Sequence, residues 1–284
     1  MLFRRGMLLS NVNPSILFVN PSLGTKRYAE EDKLRSYLSL GTLAAALGNS
    51  SFLKRFAVRL GQKELNFHSE SDYPAFDMVV LNLSLKPDHL SNRQYCSDLF
   101  RQLNRTPLMV CMTATSAHLD EAREIALTAR QLVPDALSII GGQHVTVAAA
   151  EFLSTSELQA ACIGVGVETL SEIALRVCMA GELDCSTIEG ITYKHENGDV
   201  RSNPLRVPLF ELDDYPFPSD SLDYFRSPAE NPAENRSQLI YILSGYGCPH
   251  DCIFCAQRSI HGRKIRERSA ENIVEEISSL YVRG

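Results

Sequence analysis

Between Ser15 and Met179, short apolar, β-branched runs alternate with stretches of helical period, and this alternation leaves the chain few ways to fold. Ser15–Val19, Phe76–Leu83, Leu108–Met112, Leu137–Ile140 and Ala160–Gly164 read as strands. Leu34–Leu47, His89–Leu103, Leu119–Leu132, Val145–Leu153 and Thr169–Met179 read as helices, while Phe52–Phe67 admits helix, strand or both. Strands that alternate with helices of this length imply βαβ units and an α/β fold around a doubly wound parallel sheet.

Ligands of such sheets sit beyond the carboxyl ends of the strands. The loops there supply Thr113 and Ser116, then Gly141, Gly142 and His144, then Gly164 and Gly166 as candidate cofactor contacts. Glycine lets a ligand approach the backbone closely, and hydroxyls near helix starts can cap the helix or hold a phosphate. The same residues also suit the tight turns and caps that any α/β domain needs. A neutral histidine hydrogen-bonded within its loop is a common alternative for His144.

At 284 residues the chain has room for about two domains. A net charge of −6 with no lysine- or arginine-rich run offers no face for nucleic acid. No apolar stretch reaches the roughly 18 residues of a membrane span. The basic start Met1–Arg5 lacks the apolar run of a signal peptide, so the expected location is cytoplasmic. Of eight cysteines, Cys96, Cys111, Cys162, Cys178 and Cys185 are scattered singly and read as small core residues in a reducing compartment.

The remaining three are spaced C-x3-C-x2-C as Cys248, Cys252 and Cys255. They follow Leu239–Leu243, which reads as a buried strand, and Gly245 and Gly247 let the chain turn as it leaves. Three thiolates within eight residues can hold one side of a four-iron cluster and leave one iron open to an outside ligand. An open position marks a metal that does chemistry. The spacing also admits zinc with His250 or His261 as a further ligand, or thiols that bind nothing.

With Phe254 just before the third cysteine, this stretch resembles the signature of the radical S-adenosylmethionine (SAM) superfamily. The resemblance implies a [4Fe-4S] cluster on Cys248, Cys252 and Cys255, with SAM on the open iron and Phe254 near its adenine. It further implies cleavage of SAM to a 5′-deoxyadenosyl radical that abstracts hydrogen from a small-molecule substrate, with electrons from a donor such as flavodoxin or ferredoxin. Upstream, Leu40–Leu47, the loop Gly141-Gly142-Gln143-His144-Val145-Thr146 and the segment Gly164–Leu170 are similar to motifs of the cobalamin-binding domain of one radical SAM subfamily. That similarity implies a Rossmann-like domain binding cobalamin (B12) for methyl transfer or radical rearrangement. Two departures stand out: both glutamates of the third motif are Val165 and Val167 here, and no Asp-x-His-x-x-Gly motif supplies a lower-axial histidine.

The expected layout is a cobalamin-binding-like domain over 1–183, a hairpin and connector over 184–236, and the first β/α unit of an incomplete radical SAM barrel over 237–284. Thr187–Asp199 reads as the hairpin, turned at Asn197-Gly198. Ser269 is the expected N-cap of a last helix with Ile273, Ile277, Leu280 and Tyr281 on its apolar face, and the arginines before it read as solvated charge. The 48 residues from Ser237 onward cannot close a barrel, so the expectation is a C-terminally truncated chain that binds a cluster poorly and does not turn over SAM alone. The alternatives are a cobalamin- or nucleotide-binding module with a vestigial cysteine loop, and a structural zinc protein.

Overall fold

The computed structural model describes residues 2–4, 13–21, 38–61, 74–83, 89–103, 106–180, 182–226 and 240–283. Its elements run β1 (Leu2–Arg4), β2 (Ser15–Asn20), α1 (Leu38–Gly48), α2 (Ser50–Arg59), β3 (Asp77–Asn82), α3 (Asn92–Gln102) and β4 (Met109–Thr113). There follow α4 (Leu119–Leu132), β5 (Leu137–Gly141), α5 (Gln143–Ser154), β6 (Ala160–Cys162), α6 (Val167–Ala180) and β7 (Glu182–Asp184). The last are β8 (Ile191–Lys194), β9 (Val200–Ser202), β10 (Phe225–Arg226), β11 (Gly245–Tyr246), α7 (Gln257–His261), β12 (Arg266–Glu267) and α8 (Ala270–Arg283).

Eight strands form one sheet in the order β10-β3-β2-β4-β5-β6-β8-β9. Pairing is parallel from β10 to β6, and the hairpin β8–β9 closes that edge antiparallel. Alternate side chains of β2 explain the layers. Ile16 and Phe18 enter a core shared with α1, α2 and α6, whereas Leu17 and Val19 enter a second core against α3, α4 and α5. A strand buried on both faces has no polar side to show, which is why these strands read as unbroken apolar runs. Strand order reverses at β2, with β3 on one side and β4 on the other, a switch point beside which ligands of such sheets sit.

Local chemistry fixes the helix starts. Asn49 accepts from Phe52 N at 2.8 Å, and Ser91 and Gln94 form a reciprocal capping box at 3.1 and 2.9 Å. Each cap contributes about 1 kcal/mol. The ambiguous stretch after residue 50 is helical to Arg59 because Phe52, Leu53 and Phe56 recur on one buried face. The parts of expected elements at 34–37, 62–67 and Leu239, and the repeated Pro-Ala-Glu-Asn at 228–235, lie outside the described residues.

The C-terminal segment departs from expectation. Ile240–Leu243 is not a strand: Ile240 and Tyr241 are 39% and 41% exposed, and pairing begins only at β11, antiparallel to β12. A buried parallel strand needs a partner on its edges, and none pairs with Ile240–Leu243 among the described residues. No barrel is formed by the described residues.

Ser269 caps α8 as expected, accepting from Asn272 N at 3.1 Å. The apolar face of α8 is largely uncovered, with Ile277 48% and Tyr281 86% exposed. The residue that α8 buries is charged. Glu276 accepts from Arg268 and from Ser219 N, and Arg268 also donates to Leu243 O and Asn272. The arginines here are therefore not solvated charge: Arg268 is buried, and Arg266 donates to Phe210 O. Burying a guanidinium is tolerable only with a carboxylate and carbonyls to receive it.

Candidate functional site

A cavity of about 320 Å³ opens at the carboxyl ends of β4, β5 and β6. Thr113, Gly141, Gly142, Gly164 and Gly166 line it, as does Cys162. Apolar walls come from Leu38 and Leu43 of α1 and from Val165 and Leu170. Two valines where the related motif carries glutamates thus leave this wall greasy rather than charged.

The glycines have separable reasons. Gly142 sits at φ +110°, ψ −178° as N-cap of α5, a region open essentially to glycine. A Cβ there would lie 2.5 Å from Ala114 O, whereas one on Gly141 would meet nothing nearer than 3.9 Å. Gly142 is therefore held by the fold, while Gly141 leaves space at the cavity. Gly142→Ala is expected to lower stability by about 3 kcal/mol, adding strain of about 1–3 kcal/mol to a backbone clash, and a denaturant melt measures it. Thr146 ties two of the loops, donating to Gly142 O at 3.0 Å and accepting from Gly164 N at 3.2 Å.

Ser116 and His144 bond each other, Oγ to Nδ1 at 3.0 Å, and neither lines the cavity. The His144 ring meets the edge of Phe152 at 6.2 Å. Cys111 and Cys162 lie in the cavity wall, and burial pushes both thiols up, Cys162 to about 12, so they stay protonated.

Sequence reasoning missed the wall opposite. Tyr246 and Ile260–His261, from the segment that bears the three cysteines, complete the cavity beside Thr42. Tyr246 and His261 stack at 4.6 Å and 14°. Burial raises the Tyr246 phenol and lowers the His261 imidazole, so both are neutral near pH 7. In the sequence His261 stood out only as a possible zinc ligand, and among the described residues no three metal-ligating side chains come together there; Tyr246 carried no signal beyond its place beside the cysteines.

Glu168 was missed too. It is 2% exposed and accepts from Leu209 N at 3.0 Å, Phe210 N at 3.2 Å and the Tyr215 hydroxyl at 2.6 Å. Burial first, then the carboxylate, push the Tyr215 phenol well above its usual range, which keeps the donor protonated. This latch ties α6 to the connector, and the connector ties to α8 where Asp213 accepts from Ser269 N at 2.9 Å.

Cys248 is half-buried, and Cys252 and Cys255 are exposed. Cys255 N donates to Cys252 O at 3.0 Å, folding the loop into a turn. Asp251, just before Cys252, takes Arg258 and Arg263, each at 2.6 Å. Phe254 projects from the same turn, 88% exposed, and does not reach the cavity. Among the described residues no three Cys, His, Asp or Glu side chains converge on one point. Two exposed thiols on one turn, with the half-buried Cys248 close before them in sequence, nonetheless supply the donor chemistry an iron–sulfur cluster uses. The cavity suits a corrinoid in part: 320 Å³ is near the low end of the about 300–1,000 Å³ of small-molecule sites, enough for one arm and too small for the macrocycle.

Comparison with known proteins agrees with this geometry. Residues 75–174 match the B12 binding domain. An uncharacterised methyltransferase of Pyrococcus horikoshii is 29% identical over 203 residues, 68% of this chain and 41% of its own length. The hopanoid C-3 methylase of Methylococcus capsulatus is 25% identical over 64% of this chain and 34% of its own length. The chain thus spans well under half the length of these relatives. Among solved structures, the radical SAM methyltransferase TsrM of Kitasatospora setae, with cobalamin and a [4Fe-4S] cluster bound, superposes with a TM-score of 0.61 at 20% identity, covering 96% of this chain and 48% of that one. The cobalamin-dependent SAM radical enzyme OxsB, with aqua-cobalamin bound, gives 0.64 at 18% identity, covering 94% and 32%. Over residues 75–174 the chain is thus similar to the B12 binding domain, and its fold is that of the matched parts of TsrM and OxsB.

Proposed function

We propose that this chain is the cofactor-holding part of a cobalamin-dependent radical SAM enzyme that transfers a methyl group to a small-molecule substrate. One observation carries the reading: the cavity over β4–β6 is walled on its far side by the segment that bears the three cysteines. A cluster on that loop would then be carried by the same segment that walls the cavity of the corrinoid arm. When bound, the cluster supplies the electron that cleaves SAM, and cobalamin supplies the methyl group. The chain's own part is to bind and orient. Gly141, Gly164 and Gly166 let the backbone approach the ligand, and Thr113 offers a hydroxyl at the strand end. Leu38, Leu43, Val165 and Leu170 exclude water. Cys248, Cys252 and Cys255 would hold the cluster, and Phe254 beside the third of them would meet the adenine of SAM. The electron donor, such as a flavodoxin or ferredoxin, would reach the loop from the side on which Cys252 and Cys255 are exposed.

Titrating hydroxocobalamin into the purified 284-residue chain and following its visible absorption tests the cobalamin half. Saturable binding near one per chain is expected, and an unchanged corrinoid spectrum with no retention on gel filtration would refute it.

A further inference from the structure

The three cysteines lie in a loop whose two ends meet through a pair of rings. Tyr246 stands just before Cys248, and His261 ends the short helix α7 that follows Cys255. The two half-buried side chains stack at 4.6 Å and 14°, a spacing at which flat rings attract. Backbone contacts close the same neck: Tyr246 pairs with Arg266, and Cys248 N donates to Gly262 O at 3.4 Å. Gly247 passes so near the returning chain that a Cβ there would overlap Lys264 O. One ring of the pair is also anchored from outside, because Tyr246 is hydrogen-bonded to the Thr42 side chain of α1. Beyond the neck the ties are weaker. Asp251 holds Arg258 and Arg263 at the surface, where side chains 44% to 58% exposed gain little from pairing. The spacing of the thiols therefore depends on how firmly the neck is shut.

We propose that Tyr246 and His261 are positioning residues: their stack shuts the neck of the cysteine loop and so presets Cys248, Cys252 and Cys255 for the cluster. This rests on the cluster reading above. The rings act through the loop and not as ligands. Donor groups already held near their final places lose less freedom when they bind, and a site whose supporting contacts are loose binds correspondingly weakly.

Arsenite, which binds several neighbouring thiolates at once, reads the preset spacing in the cluster-free chain. His261→Ala removes the stack and is expected to weaken arsenite about tenfold, or about 1.4 kcal/mol. His261→Phe keeps a flat ring on Tyr246 and is expected to stay within about twofold of wild type. After anaerobic reconstitution, a ferrous-iron chelator should strip His261→Ala faster than wild type, and His261→Phe at the wild-type rate. Equal arsenite affinity in wild type and His261→Ala overturns the proposal while the cluster reading stands. An equal loss in both variants makes the imidazole a ligand and overturns it as well. Wild type that takes up no iron and sulfide on reconstitution brings down the cluster reading and the proposal together. Hydrogen exchange of the wild-type chain needs no folded variant: the Cys248 amide should be protected before any metal or arsenite is added, and exchange at the rate of an unfolded peptide overturns the assignment.

Discussion

Glu168→Ala lowers stability by about 3 kcal/mol or more, the largest loss expected from any single truncation near the cavity. The reason lies in what remains. The buried Phe210 N–H is left with no acceptor, and the part-buried Leu209 N–H and Tyr215 hydroxyl lose theirs as well. Each orphaned donor costs about 1–3 kcal/mol. Against a typical total of about 5–15 kcal/mol this is a large fraction. In a chain of this size, about 3 kcal/mol corresponds to a fall in melting temperature of about 6–12 °C. Tyr215→Phe removes one donor and leaves the carboxylate two backbone partners, so its loss should be about 1 kcal/mol. A melt of the two variants and their double mutant measures the coupling. A Glu168→Ala protein that melts within about 2 °C of wild type, under 1 kcal/mol on this scale, would show that the latch contributes little.

The consequence is not confined to the connector. Phe210 packs against Phe52 at 5.3 Å and lies under Arg59 at 4.0 Å, and its carbonyl receives Arg266. Arg266 sits in β12, the partner of Tyr246. Loosening Glu168 therefore loosens the far wall of the cavity through packed and hydrogen-bonded neighbours. Weaker corrinoid binding should accompany the lower melting temperature.

How much of this was readable beforehand follows from the range of each interaction. Helix α4 could be placed at Leu119–Leu132 because its apolar spacing is local and a strand stands at either end. Gly142 and Gly164 were readable as special because glycine at a strand end has few other uses, and both sit at positive φ. Glu168 was not readable. Its partners lie more than forty residues away on a segment without secondary-structure period, and an acidic residue in a first turn already has a reason to be there. Arg268 misled for the same reason: a charged residue beside other charges reads as solvated until its buried partner Glu276 is known. Leu239–Leu243 misled the other way. Strand propensity describes what a segment can do on a sheet, and Ile240–Leu243 finds no sheet among the described residues.

Cys252→Ala should reduce the iron and acid-labile sulfide taken up on anaerobic reconstitution to background, whereas Cys162→Ala should leave uptake unchanged. The contrast separates two populations of thiol. A cluster ligand must be a thiolate that solvent and iron can reach. Cys111, Cys162 and Cys185 fail on both counts: they are buried, and burial pushes Cys162 to about 12 and Cys185 to about 11. Cys252 and Cys255 are exposed on one turn with Cys248 close in sequence, so removing one leaves two ligands where three are needed. Zinc in place of iron would identify a structural metal site and end the radical SAM reading. Iron uptake by Cys252→Ala equal to wild type would move the cluster elsewhere. Corrinoid binding without iron in the wild-type chain would leave a cobalamin module whose cysteine loop serves only as a wall.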